Sequence, residues 1–213
     1  MNRADAVTVF RTLLVFLIVY LVLIRFAIAA TLILIALMFL LDAIDGFAAI
    51  SEKSHGRVSL PDYIRSALGN PSAKLKVAKF KALPGSPYGP RLDVAGDRVI
   101  EYVFWILFTY LGIIPLAILL AVVVRHSFVD ALMGSKGTSS KMRSGFARAV
   151  YSSNLSRGGI NVVKGVAFGY LSLIYVTGLV FGWYLVLGYA IVAVMFVYIM
   201  LRGAAEIYES VRR

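Results

Sequence analysis

Four aspartates stand in two pairs, each at a spacing that places both side chains on one face of a helix. Asp42 and Asp45 are three residues apart at the end of an apolar run, and Asp93 and Asp97 are four apart at the start of the next. Residues three or four apart are neighbours on a helix surface. If the two runs are successive membrane helices, the first arrives at a membrane surface and the second leaves it. Both pairs then lie at one depth.

Four carboxylates at one place repel one another unless a cation lies among them. Oxygen-only ligand sets favour hard divalent ions, and Mg²⁺ sites typically combine protein carboxylates with substrate phosphates. The pairs therefore predict a site for one or two Mg²⁺ or Mn²⁺ ions, with Asp42, Asp45, Asp93 and Asp97 as ligands. The alternative is that these acidic residues are simply solvated or salt-bridged. That alternative would account for a single aspartate better than for four.

The elements that must hold these aspartates are membrane helices. Of the 213 residues, 60% are hydrophobic, whereas soluble domains are typically about half apolar. A spanning helix needs roughly 20 apolar residues. The predicted fold class is an all-α integral membrane protein with six transmembrane helices, forming one domain over residues 1–213. The six predicted spans are residues 9–26, 27–46, 94–112, 115–133, 161–181 and 183–203.

The charge distribution predicts the orientation of these spans. With both termini on one side, 21 of the 22 Lys and Arg residues fall on that side or in the helices leading to it, and Arg25 is the exception. Cytoplasmic loops carry such an excess. We therefore predict a multi-pass cell-membrane protein with cytoplasmic termini, a cytoplasmic insertion at 50–91 and a basic cytoplasmic loop at 134–159. The net charge of +11 indicates attraction to anionic membrane lipids rather than to nucleic acid.

The aspartate pairs and their neighbours resemble the signature of the CDP-alcohol phosphatidyltransferases, D-x-x-D-G-x-x-A-R followed by G-x-x-x-D-x-x-x-D. The predicted number of spans, and the position of the motif across spans 2 and 3, also agree with that family. "DAIDGFAA" and "GPRLDVAGD" supply the matching residues Asp42, Asp45, Gly46, Ala49, Gly89, Asp93 and Asp97.

The chain departs from the family pattern at two points. Ile50 stands where the signature has an arginine, and Arg57 or Arg91 could replace that contact. The two halves of the motif are separated by 38 residues, 51–88, which is far more than in the family. This insertion could cover the site, contact lipid headgroups, recognise the acceptor, or be a tolerated surface excursion.

The resemblance implies a transferase that moves a phosphatidyl-type group from a CDP-linked lipid to an alcohol and releases CMP. Asp42, Asp45 and Asp93 would ligate the divalent metal, while Asp97 would accept the proton of the attacking hydroxyl and could touch a second metal. The same resemblance implies a homodimer. The nucleotide would lie at Gly46, Ala49, Gly89 and Asp42.

Further residues are candidates for substrate binding. A phosphorylated polyol such as inositol phosphate or glycerol phosphate is the favoured acceptor, with serine as the alternative. The donor could be a diacyl lipid or an archaeal ether lipid. Thr8 and Arg11 resemble a pair that often opens the family's first span, and they would contact lipid phosphate. The basic residues that could bind the acceptor phosphate are Lys136, Lys141, Arg143, Arg148, Arg157 and Lys164.

Charged residues inside the predicted spans leave other interpretations open. Arg125 lies in the middle of span 4, with Glu101 available as its partner, and His126 follows it. Such charges usually face a polar cavity or an ion-pair partner. The competing functions are a cation-coupled transporter or channel and a structural membrane scaffold. Against the transporter, the aspartates lie at helix ends rather than at the midplane.

Overall fold

The computed structural model describes residues 3–53, 59, 61, 89–133, 145, 150 and 154–211, and within them the side chains of residues 5–42, 59, 61, 91–132, 145, 150 and 159–211. Throughout these ranges the regular structure is helical and no strand occurs. The helices are α1 Arg3–Leu23, α2 Ile28–Lys53, α3 Gly89–Tyr110, α4 Leu116–Met133, α5 Asn154–Val176 and α6 Gly182–Val211.

These helices coincide with the predicted apolar runs, but three of them extend into the predicted loops. Helix α2 continues to Lys53 and α3 begins at Gly89, so both enter the segment 50–91. Helix α5 begins at Asn154, inside the segment 134–159. Apolar composition marks only the stretch of a helix that suits lipid, whereas backbone hydrogen bonding carries the helix on into polar sequence. The remaining parts of both loops lie outside the described residues, apart from residues 59, 61, 145 and 150.

Three of the described helices are long and apolar enough to cross a membrane, in the stretches Asp5–Leu23, Gly159–Val176 and Gly182–Val211. The apolar part of α2, Ile28–Asp42, is shorter than these three stretches. Large apolar side chains such as Phe16 and Trp183 are exposed on the outside of the bundle. Lipid is the solvent that suits such a surface, so the fold indicates a membrane protein.

The helices form three antiparallel hairpins that close into a ring. Short turns join α1 to α2, α3 to α4 and α5 to α6, and the two helices of each hairpin contact one another. Short connections enforce this arrangement of neighbours. Contacts of α1 with α3, of α2 with α5 and of α4 with α6 complete the ring. Inside it, Phe104 of α3 stacks on Phe168 of α5 with ring centroids 4.6 Å apart.

The hairpin geometry sets several polar residues at a common height. Arg11, Asp42 and Asp97 each lie twelve to fourteen residues from the turn end of their helices, which is roughly 20 Å at 1.5 Å per residue. Arg25 lies at the opposite end, in the α1–α2 turn, with its guanidinium 4.5 Å from the centroid of the Tyr175 ring. The polar site therefore forms at the end of the bundle remote from the three short turns.

Candidate metal centre and adjoining polar cavity

Asp42 of α2 meets Asp93 and Asp97 of α3 at the remote end of the bundle. One carboxylate oxygen from each residue lies within 4.8 Å of the others. Their side chains are 21%, 51% and 45% exposed, respectively. The predicted convergence of the two helices is confirmed for these three aspartates, whose oxygen donors suit a hard divalent cation. The cluster can therefore hold a metal ion.

Arg11 of α1 inserts its guanidinium into this carboxylate cluster, which we define as Asp42, Asp93 and Asp97. Its Nη1 donates to Asp42 Oδ1, and its Nη2 lies 2.7 Å from Asp93 Oδ1 and 2.8 Å from Asp97 Oδ1. The Arg11 side chain is only 2% exposed. Family resemblance predicted that Arg11 contacts lipid phosphate, whereas here its described partners are carboxylates. The Arg11 guanidinium therefore lies among the predicted metal ligands as a positively charged group.

Helix α3 reaches Arg11 because Gly96 lets it approach α1 closely. A Cβ added at Gly96 would lie 2.9 Å from both Thr8 Cγ2 and Thr12 Oγ1. Thr8 is 3% exposed, and Thr12 Oγ1 donates a 2.7 Å hydrogen bond to the Thr8 carbonyl oxygen. Thr8, predicted as a lipid-phosphate contact, thus lies at this helix contact. Gly96 stands between the two aspartates that α3 contributes to the cluster.

Gly96→Ala is expected to lower the free energy of unfolding by about 1–3 kcal/mol, because overpacking a close contact displaces backbone. It should also weaken Mn²⁺ binding, since Asp93 and Asp97 move with α3. The matched control is Gly169→Ala, where the added Cβ would make an ordinary contact 3.7 Å from Leu32 Cδ2. Reversible detergent denaturation measures the first effect, and Mn²⁺ titration measures the second. Equal stability of both variants would contradict the packing role of Gly96.

Asn161 holds Asp42 from the side opposite Arg11. Its Nδ2 donates to Asp42 Oδ2, so α5 and α1 both fix a carboxylate that α2 supplies. The sequence interpretation did not include Asn161. Its only sequence signal is an amide side chain between the apolar residues Ile160 and Val162, three residues before Lys164. A neutral donor at this point orients Asp42 without cancelling its charge.

Glu101 forms a second, fully buried polar centre one turn along α3 from Asp97. Its side chain is 1% exposed, Lys164 Nζ lies 2.5 Å from its Oε2, and His126 Nε2 lies 3.0 Å from its Oε1. The suggested pairing of Arg125 with Glu101 is wrong, because Arg125 Nη2 binds Glu206 Oε2 at 2.7 Å. Helix spacing defines a face, but the register between α4 and α6 decides which acid Arg125 meets.

A cavity of about 170 Å³ lies beside the cluster, between α3, α4, α5 and α6. Asp97, Glu101, Asn161 and Lys164 line it and also line the smaller pocket that contains Arg11 and Asp42. The charged groups described in its wall are four cations and, with Asp97, four carboxylates, so their formal charges sum to zero. The cations are Arg98, Arg125, Lys164 and Arg202, and the other carboxylates are Glu101, Asp130 and Glu206.

Two ion pairs brace the wall of this cavity. Arg98 binds Asp130 through two parallel hydrogen bonds, each 2.8 Å long, which join α3 to α4. The Arg125–Glu206 pair joins α4 to α6, and Gly203 makes room for it, since a Cβ there would lie 2.7 Å from Arg125 Cγ. Bidentate arginine–carboxylate pairs fix orientation as well as charge. The cavity wall is therefore defined by side chains held in place.

Several predicted site residues have no described side chain. Asp45, Gly46 and Ala49 belong to α2, Gly89 to α3 and Arg157 to α5, with only their helical backbone described. Of the predicted acceptor-binding residues, Lys164 reaches the cavity. The rest lie outside the described residues: Lys136, Lys141, Arg143 and Arg148.

Comparison with known proteins yields no match for this chain, whether with protein-family models, curated proteins or solved structures. A functional assignment therefore depends on the motif residues and on the geometry of the carboxylate cluster and its cavity.

Proposed function

We propose that this chain is a metal-dependent CDP-alcohol phosphatidyltransferase of the cell membrane. It would transfer a phosphatidyl or archaetidyl group from a CDP-linked lipid to the hydroxyl of a phosphorylated polyol, and CMP would be released. The observation that carries the proposal is that Asp97 belongs both to the carboxylate cluster and to the polar cavity, which three arginines line. One residue thus borders both the place for a metal-bound diphosphate and the place for a polar acceptor.

The carboxylate cluster supports the donor half of this reaction. A divalent ion held by Asp42, Asp93 and, by resemblance, Asp45 would offset negative charge on the diphosphate and on the departing CMP. The resemblance places Gly46, Ala49 and Gly89 at the nucleotide. Asn161 would keep Asp42 oriented toward the diphosphate through its hydrogen bond.

The cavity supports the acceptor half. Arg98, Arg125 and Arg202 line it. Arg98 and Arg125 are paired with Asp130 and Glu206 and would add positive charge near a phosphate that Arg202 binds through paired hydrogen bonds. With the acceptor phosphate among them, its hydroxyl would face Asp97. That hydroxyl oxygen forms a bond to the lipid-linked phosphorus, the bond from phosphorus to the CMP oxygen breaks, and the hydroxyl proton passes to Asp97. A positioned carboxylate of this kind acts as a general base.

The proposal includes six spans, cytoplasmic termini, a cytoplasmic active site and a homodimer. The six described helices, three of which are long and apolar enough to cross a membrane, would supply the spans, and the excess of Lys and Arg on one side supports the orientation. At that surface the diphosphate lies at headgroup level while the lipid tails remain in the bilayer.

The test is CMP release by purified protein in nanodiscs. CDP-linked diacyl and ether lipids are each supplied with Mg²⁺ or Mn²⁺ and with glycerol phosphate, inositol phosphate or serine. Release that requires both metal and one acceptor supports the enzyme, and the active acceptor identifies the substrate class. Absence of release with every combination, together with metal-coupled ion flux in proteoliposomes, would instead establish the transporter.

Arg202→Gln is expected to raise KM for a phosphorylated acceptor about tenfold or more, because a hydrogen bond to a charged group contributes roughly 1.5–3 kcal/mol. KM for the CDP-linked lipid should be unchanged. Arg25→Gln, at the opposite end of the bundle, is the matched control. Acceptor titrations at saturating donor provide the measurement, and an unchanged acceptor KM would remove Arg202 from the binding site.

A further inference from the structure

Arg11 has a position in the carboxylate cluster that the transfer reaction does not explain. It is a 2% exposed guanidinium whose Nη1 and Nη2 reach Asp42, Asp93 and Asp97, carboxylates from two other helices. A cation placed this way neutralises the same oxygens that a divalent metal would ligate. Arg11 and the metal therefore draw on one set of donors.

The charges of these four residues show what Arg11 can and cannot offset. Three ionised carboxylates with oxygens within 4.8 Å of one another repel strongly. One guanidinium offsets one of the three negative charges and leaves two. One divalent cation would balance those two charges. The hydrogen bond from Asn161 to Asp42 adds no charge. The cluster is thus assembled by Arg11 and still attracts a metal.

We propose that Arg11 is the resident counter-ion of the carboxylate cluster and that it competes with the divalent cation, which sets the metal affinity. The inference rests on the proposed metal-dependent function. Without metal, Arg11 holds α1, α2 and α3 together at the site. With metal, its positive charge opposes the ion and its hydrogen bonds occupy part of the oxygen donors. The site is therefore assembled before the metal binds, but it binds the metal less tightly than it would without Arg11.

This competition predicts opposite effects of one substitution on stability and on metal affinity. In Arg11→Gln the metal-free protein should unfold at a lower temperature, because the carboxylates lose their counter-ion. Mn²⁺ should bind about tenfold more tightly, equivalent to 1.4 kcal/mol, because a positive charge beside the ion is gone. A residue that merely positions the aspartates for the metal would instead weaken Mn²⁺ binding when it is replaced.

The experiment measures Mn²⁺ binding and thermal unfolding without any substrate. Free Mn²⁺ is followed by electron paramagnetic resonance during titration of the wild type, Arg11→Gln, Arg11→Lys and the control Arg25→Gln. Arg11→Lys keeps the positive charge but loses the planar guanidinium that can hydrogen-bond two carboxylates at once. The metal should therefore displace the lysine ammonium more readily. We expect Mn²⁺ to bind most tightly to Arg11→Gln, less tightly to Arg11→Lys and least tightly to the wild type. Arg25→Gln should bind Mn²⁺ as the wild type does.

Weaker or unchanged Mn²⁺ binding in Arg11→Lys would overturn the proposal even if Arg11→Gln does not fold. Failure of the wild type to bind Mn²⁺ would also overturn it. Because no CDP-linked lipid is present, this result is separate from the catalytic one. If the variants bind Mn²⁺ in the expected order but the wild type releases no CMP, Arg11 remains the counter-ion of the cluster and the transferase function is rejected.

Discussion

Asp97→Asn is expected to lower metal-dependent CMP release by about 10³-fold, because general base catalysis typically contributes 10²–10⁴-fold. The amide keeps the shape of the carboxylate but cannot take the hydroxyl proton. Asp97 borders both the carboxylate cluster and the polar cavity, so it lies where the acceptor hydroxyl would meet the metal-bound donor. The measurement is kcat with saturating donor and acceptor.

Metal titration separates proton transfer from metal binding in this experiment. Asp42→Asn, which alters a predicted metal ligand, should regain part of its activity at high Mn²⁺. Asp97→Asn should stay inactive at the same concentrations, because a lost base is not restored by more metal. Asp5→Asn, on α1 outside the cluster, is the control for an aspartate-to-asparagine change. More than a tenth of wild-type kcat in Asp97→Asn would reject the base assignment.

The sequence predicted the helices and the meeting of the aspartates for the same reason: both are encoded at short range. Apolar composition marks the helices, and spacings of three and four place side chains on one face. Helix α1, which packs against both α2 and α3, then brings the end of α2 and the start of α3 to one place. Asp42 and Asp97 could still be assigned to one site before this packing was known.

The polar partners of these residues could not be predicted in the same way. Arg125 had an acid of suitable depth in Glu101, yet it binds Glu206 because α4 packs on α6 and Gly203 leaves space for its side chain. Asn161 reaches Asp42 only through the contact of α5 with α2. Interhelical register selects such partners, and it depends on packing along whole helices rather than on local spacing.

Glu101→Gln is expected to reduce the free energy of unfolding by about 3–5 kcal/mol, the range for removing one partner of a buried ion pair. Glu101 is 1% exposed, and it accepts from Lys164 at 2.5 Å and lies 3.0 Å from His126 Nε2. Glutamine keeps the volume of the side chain but leaves the Lys164 charge without its carboxylate. Reversible detergent denaturation in the absence of metal provides the measurement.

Two further variants show whether the Glu101 effect comes from the buried charge. Glu101→Gln combined with Lys164→Met should recover much of the lost stability, because the uncompensated cation is removed along with its partner. Asp130→Asn is the comparison in the same cavity wall. Its carboxylate is 37% exposed, so breaking its pair with Arg98 should cost only about 0–1 kcal/mol. If Glu101→Gln costs no more than Asp130→Asn, water must reach Glu101 and the cavity extends deeper into the bundle than its walls indicate.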